Sequence, residues 1–292
     1  MAGAGFAKPA VANGSGPASA LPSFFIIGPP RTGTTWLHDV LSQCAWLSHP
    51  TKETRFFDKH FDRGLHWYSS HYQKIADGRV IGEVAPTYFA SAEARERIAQ
   101  LIPHAKIVCT FRNPVDRVLS LYRLKRAYGW ISWNFEEALA RDPELIESSR
   151  YVAHLKEWIA TFGTAQVMAT VHDDIQADPQ TYLDKLVDFV GIPRVKLLPS
   201  QVRHVLASED LTLPRHYYWT RGGLMMAEWA KKKKLDSVVL AAKRLGALKL
   251  FVGGGQTFAD LTASQRVRLR ELFRPEVEQL ETMLNRDFSA WK

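Results

Sequence analysis

The chain reads as an α/β protein: a central, mostly parallel sheet flanked by helices, three layers in all. Two observations predict this. Short apolar runs of strand length alternate along the sequence with helix-like patterns, the arrangement that builds a sheet covered by helices. The first apolar run also leads directly into a glycine-bearing loop and a helix start, over Phe24–Trp36 (FFIIGPPRTGTTW). At 292 residues and 46% hydrophobic, the chain is long enough for one large domain with a substantial core.

The elements follow in order. Strands are expected at Phe24–Ile27, Val80–Val84, Lys106–Phe111 and Gln166–Val171. A helix starts near Thr34. Asn113 caps another, with Pro114 at its first position. From Tyr151, apolar residues recur at Leu155, Trp158, Ile159 and Phe162 until Gly163 ends the helix. Asp178-Pro179 opens a helix to about Val190. Residues 193–260 carry Pro199, Pro214, Tyr217-Tyr218-Trp219, four consecutive lysines and Gly253-Gly254-Gly255. They read as a partly irregular, substrate-facing lid. Thr262 to Gln265 is a capping-box pattern opening the last helical region, which Pro275 breaks or kinks.

Residues 1–22, rich in Ala, Gly, Pro and Ser, read as a disordered tail before a domain spanning 23–292. They lack the basic and apolar regions of a signal peptide. No run of eighteen apolar residues exists, so no transmembrane helix is expected. Cys44 and Cys109 both sit in apolar settings, which suits reduced thiols and a cytoplasmic location. There is no Cys/His cluster at metal-ligand spacing, and no metal is expected.

Net charge is +8, and it is concentrated. Between Arg215 and Arg274 the sequence carries thirteen Lys/Arg against four Asp/Glu. Such a segment attracts anions, whether a charged substrate, a nucleotide or an acidic surface. A solvated helix face is the plain alternative.

Four stations carry chemistry. In GPPRTGTTW, loop amides and the helix dipole form an anion cradle. Arg31 adds a cation, and Thr32, Gly33, Thr34 and Thr35 add donors. Gly28 and Gly33 fit the frame of a phosphate-binding P-loop, but Thr34 stands where its lysine belongs. That lysine reaches the terminal phosphates of a nucleoside triphosphate, so ordinary NTP hydrolysis is not expected. In TFRNPVDRVLSLYR, Arg112 ends a strand and Ser120 lies two turns into the next helix, a pair suited to gripping one phosphate; a surface ion pair and a packed serine are the alternative. In RVIGEVAPTYF, Glu83 lies within an apolar strand, where burial would raise its pKa toward that of a useful base; a structural ion pair is the alternative. Pro50–Tyr72 mixes Lys52, Arg55 and Lys59 with aromatics and histidines.

In this order, the stations resemble the sulfotransferases that use 3′-phosphoadenosine 5′-phosphosulfate. GPPRTGTTW is similar to the family's 5′-phosphosulfate loop, and FRNPVDRVLSLY to its 3′-phosphate motif. KETRFFD, GLHWYSSHY and GEVAPTYF resemble the heparan-sulfate branch. The resemblance covers roughly residues 23–292. It implies a P-loop-like fold and sulfuryl transfer to an acceptor hydroxyl, of a carbohydrate or other hydroxylated metabolite. Glu83 is the expected base. Arg31, which replaces a usual lysine, stabilises charge but does not deliver a proton. Lys52 supplies the cation missing where Glu83 is followed by Val84. Thr32, Gly33, Thr34 and Thr35 join Arg31 in holding the 5′-phosphosulfate, and Arg112 and Ser120 hold the 3′-phosphate. The family's late nucleotide loop is represented at best by Gly253-Gly254-Gly255-Gln256. A soluble relative with no nucleic-acid partner is expected. The rival readings are a P-loop kinase or NTPase, and a non-enzymatic binder of acidic glycan or nucleic acid.

Overall fold

The computed structural model describes residues 21–72, 78–206, 211–232 and 254–292. Four parallel strands form the main sheet: β1 (Phe24–Ile26), β2 (Gly82–Val84), β3 (Lys106–Phe111) and β4 (Val167–Val171), in the spatial order β2-β1-β3-β4. Phe25 is in register with Glu83 on one side and Ile107 on the other, and Ile107 with Val167 beyond. The chain leaves β1 for β2 on one flank and reaches β3 on the opposite flank. This reversal opens a crevice at the carboxyl ends of β1 and β3, the usual ligand position in an open α/β sheet.

The period of two sorts side chains into two cores. Phe24, Ile26, Val84 and Val108 face a layer that contains Trp36, Leu37, Val40 and Leu41 of helix Thr34–Leu41, and Leu183, Leu186 and Val187 of helix Pro179–Val190. Phe25, Ile107, Cys109 and Phe111 face the other, which contains Leu155 and Trp158 of helix Tyr151–Phe162 and Leu269, Phe273, Val277 and Leu280 of helix Ala263–Leu284. All of these side chains are buried. The P-loop-like, three-layer α/β fold is therefore present.

The caps are formed by the expected residues. Asn113 accepts from the Val115 amide, Asp178 from Thr181, and Thr262 and Gln265 form a reciprocal capping box. One expectation is corrected in part. Pro275 does not break helix Ala263–Leu284, which continues through it; its buried stripe outweighs the backbone bond a proline forgoes. The described parts of 193–260 combine regular elements with irregular stretches. They form helix Pro199–Leu206, a two-stranded antiparallel ribbon of β5 (Thr212–Pro214) and β6 (Gly254–Thr257), and helix Tyr217–Lys232. Of the expected tail, residues 1–20 lie outside the described residues, as does Gly253 of the late glycine run.

Candidate active site

The loop after β1 crosses β3 closely enough to require Gly28. A Cβ there would collide with the backbone and side-chain oxygens of Thr110. Thr32 then locks the loop from within. It is fully buried, and its hydroxyl donates to the Pro29 carbonyl at 2.9 Å and lies 2.6 Å from that of Thr110. Through these two contacts the Thr32 hydroxyl braces the loop. Thr34 is also buried, whereas Thr35 is exposed.

Arg31 and Gly33 both adopt positive φ, 81° and 91°. For arginine this is unusual and persists only where the surroundings enforce it. Gly33 precedes helix Thr34–Leu41, and no side chain among the described residues caps that helix start. The amides of its first turn are thus directed at whatever anion sits in the loop.

Arg31 joins the first station to the second. Its Nε donates to Ser120 Oγ at 2.9 Å, and Arg112 Nη1 donates to the Arg31 carbonyl at 3.4 Å. Residues eighty or more positions apart meet here because β1 and β3 are neighbours. Burial first, and then Arg112, pulls the Arg31 pKa down to about 10. The Arg112 carbonyl accepts from Tyr151 Oη at 2.8 Å, which fixes the strand end.

Lys52 approaches the same loop from the opposite side. Its Nζ donates to Thr35 Oγ1 at 3.1 Å and lies 3.8 Å from Glu53 Oε1. Burial lowers the Lys52 pKa, against the pull of Glu53 and Asp39. Burial likewise raises the Glu53 pKa, against Lys52 and Arg55. The Glu53 side chain is still 29% exposed, so its carboxylate is raised in pKa and accessible beside the loop.

Glu83 has the opposite character. It is fully buried. Its Oε1 accepts from Thr54 Oγ1 at 2.5 Å, the Thr54 amide at 3.3 Å and Tyr88 Oη at 3.1 Å; Oε2 accepts from Tyr68 Oη at 2.6 Å. Burial raises its pKa and these donors oppose the rise. Fully buried and held by three hydroxyls, this carboxylate presents no exposed oxygen to an acceptor in the cleft, which does not suit the base role expected from sequence. It ties β2 to Thr54, directly after Lys52 and Glu53, and so holds that pair against the loop.

Sequence reasoning passed over Glu53 and His172. Glu53 stands between Lys52 and Arg55 in a segment read for its cations and aromatics. His172 follows β4 directly, at the ligand edge of the sheet, and that position was the available signal. A Cβ on Gly33 would stand 3.2 Å from its ring. Burial, then Arg112 and Arg31, lowers the His172 pKa to about 4.

An open parallel sheet with an uncapped helix start, three cations and a glycine-bearing loop at its switch point defines a P-loop-like fold with a positively charged cradle at the usual ligand position. The Sulfotransferase domain model matches residues 21–209, and the chain belongs to that family. Bifunctional heparan sulfate N-deacetylase/N-sulfotransferase 4 of Mus musculus is 27% identical over 295 residues, covering 91% of this chain and 30% of the relative. Heparan sulfate glucosamine 3-O-sulfotransferase 3B1 of Homo sapiens is 27% identical over 289 residues, covering 94% and 66%. The chain thus spans a third to two thirds of these relatives' lengths. A crystal structure of a sulfotransferase from Alicyclobacillus acidocaldarius superposes with a TM-score of 0.66 at 22% identity, over 93% of this chain and 99% of that one. Among the described residues, no helix is long and apolar enough to cross a membrane.

Proposed function

We propose that the chain transfers a sulfuryl group from 3′-phosphoadenosine 5′-phosphosulfate to an acceptor hydroxyl, with a carbohydrate as the favoured acceptor class. The observation that carries this is the convergence of Arg31, Arg112 and Ser120 beside the uncapped helix start, with Lys52 closing from the other side. Arg112 and Ser120 hold the 3′-phosphate. Arg31, Gly33, Thr34 and Thr35 hold the 5′-phosphosulfate, through loop amides and the Thr35 hydroxyl. The relatives named for heparan sulfate support the carbohydrate acceptor.

Glu53 takes the role of base in place of Glu83, since it is the carboxylate beside the loop that remains accessible. It accepts the acceptor proton as the acceptor oxygen bonds to sulfur. The sulfur–oxygen bond to the phosphate breaks, and the electron pair leaves on that phosphate. Arg31 and Lys52 stabilise the charge that accumulates there, where preorganised donors contribute most. These groups balance the charge without a metal, so EDTA should leave turnover unchanged. Thr34 in place of the P-loop lysine speaks against a kinase or NTPase.

Calorimetry with 3′-phosphoadenosine 5′-phosphate and AMP tests the donor assignment. Loss of a charge-assisted grip on the 3′-phosphate should cost about 2–4 kcal/mol, roughly thirtyfold to several hundredfold in affinity. Equal affinity for the two nucleotides would overturn it.

A further inference from the structure

Helix Tyr217–Lys232 presents an unusual face to solvent. Tyr218, Trp219, Met225, Met226 and Trp229 are 84%, 71%, 61%, 64% and 57% exposed. At about 100° per residue these five positions fall within an arc of roughly 120°. The opposite side is the packed one: Thr220 is buried and lies against Gly129, where a Cβ would stand 3.3 Å from Thr220 Cγ2. The exposed stripe is therefore a coherent apolar face, rich in the aromatics that favour the boundary between hydrocarbon and headgroups.

Charge selects what this face meets. Arg215, His216 and Arg221 are exposed around the same helix. The sequence runs on from Trp229 into Lys231-Lys232-Lys233-Lys234, within the segment that holds thirteen Lys/Arg and four Asp/Glu. Farther along that segment, Arg266 and Arg268 pair with Asp260 and Glu136. An aromatic and methionine stripe joined to a basic cluster complements an anionic lipid surface, where each basic residue adds attraction and the apolar side chains add burial. A second copy of the chain would set this positive charge against itself.

We propose that helix Tyr217–Lys232 is a peripheral docking surface for anionic lipid bilayers. The helix lies close to the candidate active site. It packs on Gly129, and the preceding Tyr128 is near enough to Arg31 to influence its charge. Docking therefore brings the site's mouth to the membrane surface, where hydroxyl-bearing headgroups are concentrated. The docking itself does not depend on sulfuryl transfer.

Flotation of the full chain with vesicles tests the proposal. Vesicles of 7:3 phosphatidylcholine:phosphatidylglycerol should capture the protein at least tenfold better than pure phosphatidylcholine. Raising the salt from 0.05 to 0.5 M should weaken capture as surface charge is screened. The double variant W219E/W229E should lose at least tenfold of the capture while its affinity for 3′-phosphoadenosine 5′-phosphate, measured by calorimetry, stays unchanged. Absence of capture by anionic vesicles, or equal capture of the variant, would overturn the proposal. So would a concentration-dependent dimer that W219E/W229E dissolves, which would assign the face to a second copy. Retention on immobilised heparin that the variant loses, without vesicle capture, would assign it to an acidic glycan and equally overturn the proposal. Nucleotide affinity is read separately, so failure of the donor assignment remains distinguishable.

Discussion

The pair Glu53→Gln and Glu83→Gln separates chemistry from architecture. Glu83 accepts four hydrogen bonds from Thr54, Tyr68 and Tyr88 inside a fully buried cage. Glutamine keeps one acceptor oxygen but turns the other into a donor opposite Tyr68 Oη, which must rotate to accept. Bonds to a charged group contribute about 1.5–3 kcal/mol and neutral ones about 0.5–1.5, so three hydroxyl bonds losing their charge would cost about 3 kcal/mol. Removing the buried charge returns part of that through desolvation. The net expectation is about 1–3 kcal/mol of destabilisation, or a Tm lower by roughly 3–10 °C. Glu53 is partly exposed and pairs loosely with Lys52 at 3.8 Å, so Glu53→Gln should shift Tm by no more than about 2 °C. Transfer should behave in reverse. Glu53→Gln should lower single-turnover rates by about 10²–10⁴, the contribution of a positioned base, with nucleotide affinity unchanged. Glu83→Gln should retain transfer in proportion to its folded, correctly placed fraction. Calorimetric melting, nucleotide titration and single-turnover transfer on both variants make the measurement. If Glu83→Gln abolishes transfer without lowering Tm while Glu53→Gln stays active, the assignment of roles is refuted.

Three further outcomes are expected. Arg31→Ala should cut turnover by about 10²–10³ and Arg31→Lys much less, as read by steady-state transfer; two variants equal to wild type would make Arg31 a bystander. His172 is held neutral down to about pH 4 in the folded chain against 6.5 when exposed, so only the unfolded state takes up its proton between those values. Its stability contribution is complete above pH 6.5 and is lost as pH falls toward 4, by at most about 3 kcal/mol. Urea unfolding at pH 7, 5.5 and 4.5 should show that slope, and His172→Gln should flatten it; identical slopes would exclude His172 as the cause. Gly28→Ala places a methyl against the Thr110 backbone, and should cost about 3 kcal/mol, the upper range for overpacking, in a denaturant titration.

The sheet and its caps were legible because they depend on local rules. Apolar runs bounded by Gly and Pro gave the strands to within one or two residues, and Asn113, Asp178 and Thr262 announced their helices through side chains that bond their own backbones. The meeting of Arg31 with Ser120 was foreseen only as two separate phosphate contacts, because the bond between them depends on which strands are adjacent. The contrast between Glu83 and Glu53 was not legible. A lone acid in an apolar strand announces neither its burial nor its partners, and Thr54, Tyr68 and Tyr88 reach it from three different segments. The bracing contact of Thr32 was hidden for the same reason, since its partner Thr110 is 78 positions away. The stripe on helix Tyr217–Lys232 escaped because Tyr217-Tyr218-Trp219 read as part of a partly irregular lid, and its outward face is set by the helix period and by where Thr220 packs.

The sheet order divides the labour of this chain between its two flanks. Arg31, Arg112 and His172 ride on the segments that leave β1, β3 and β4. Lys52 and Glu53 hang instead from the edge strand β2, through the Glu83 tether to Thr54. The two halves touch where Lys52 Nζ reaches Thr35 Oγ1 at 3.1 Å. Under the proposed function, one flank carries the residues assigned to the donor and the other those assigned to proton transfer. The Lys52–Thr35 contact is the seam across which the two flanks must stay aligned.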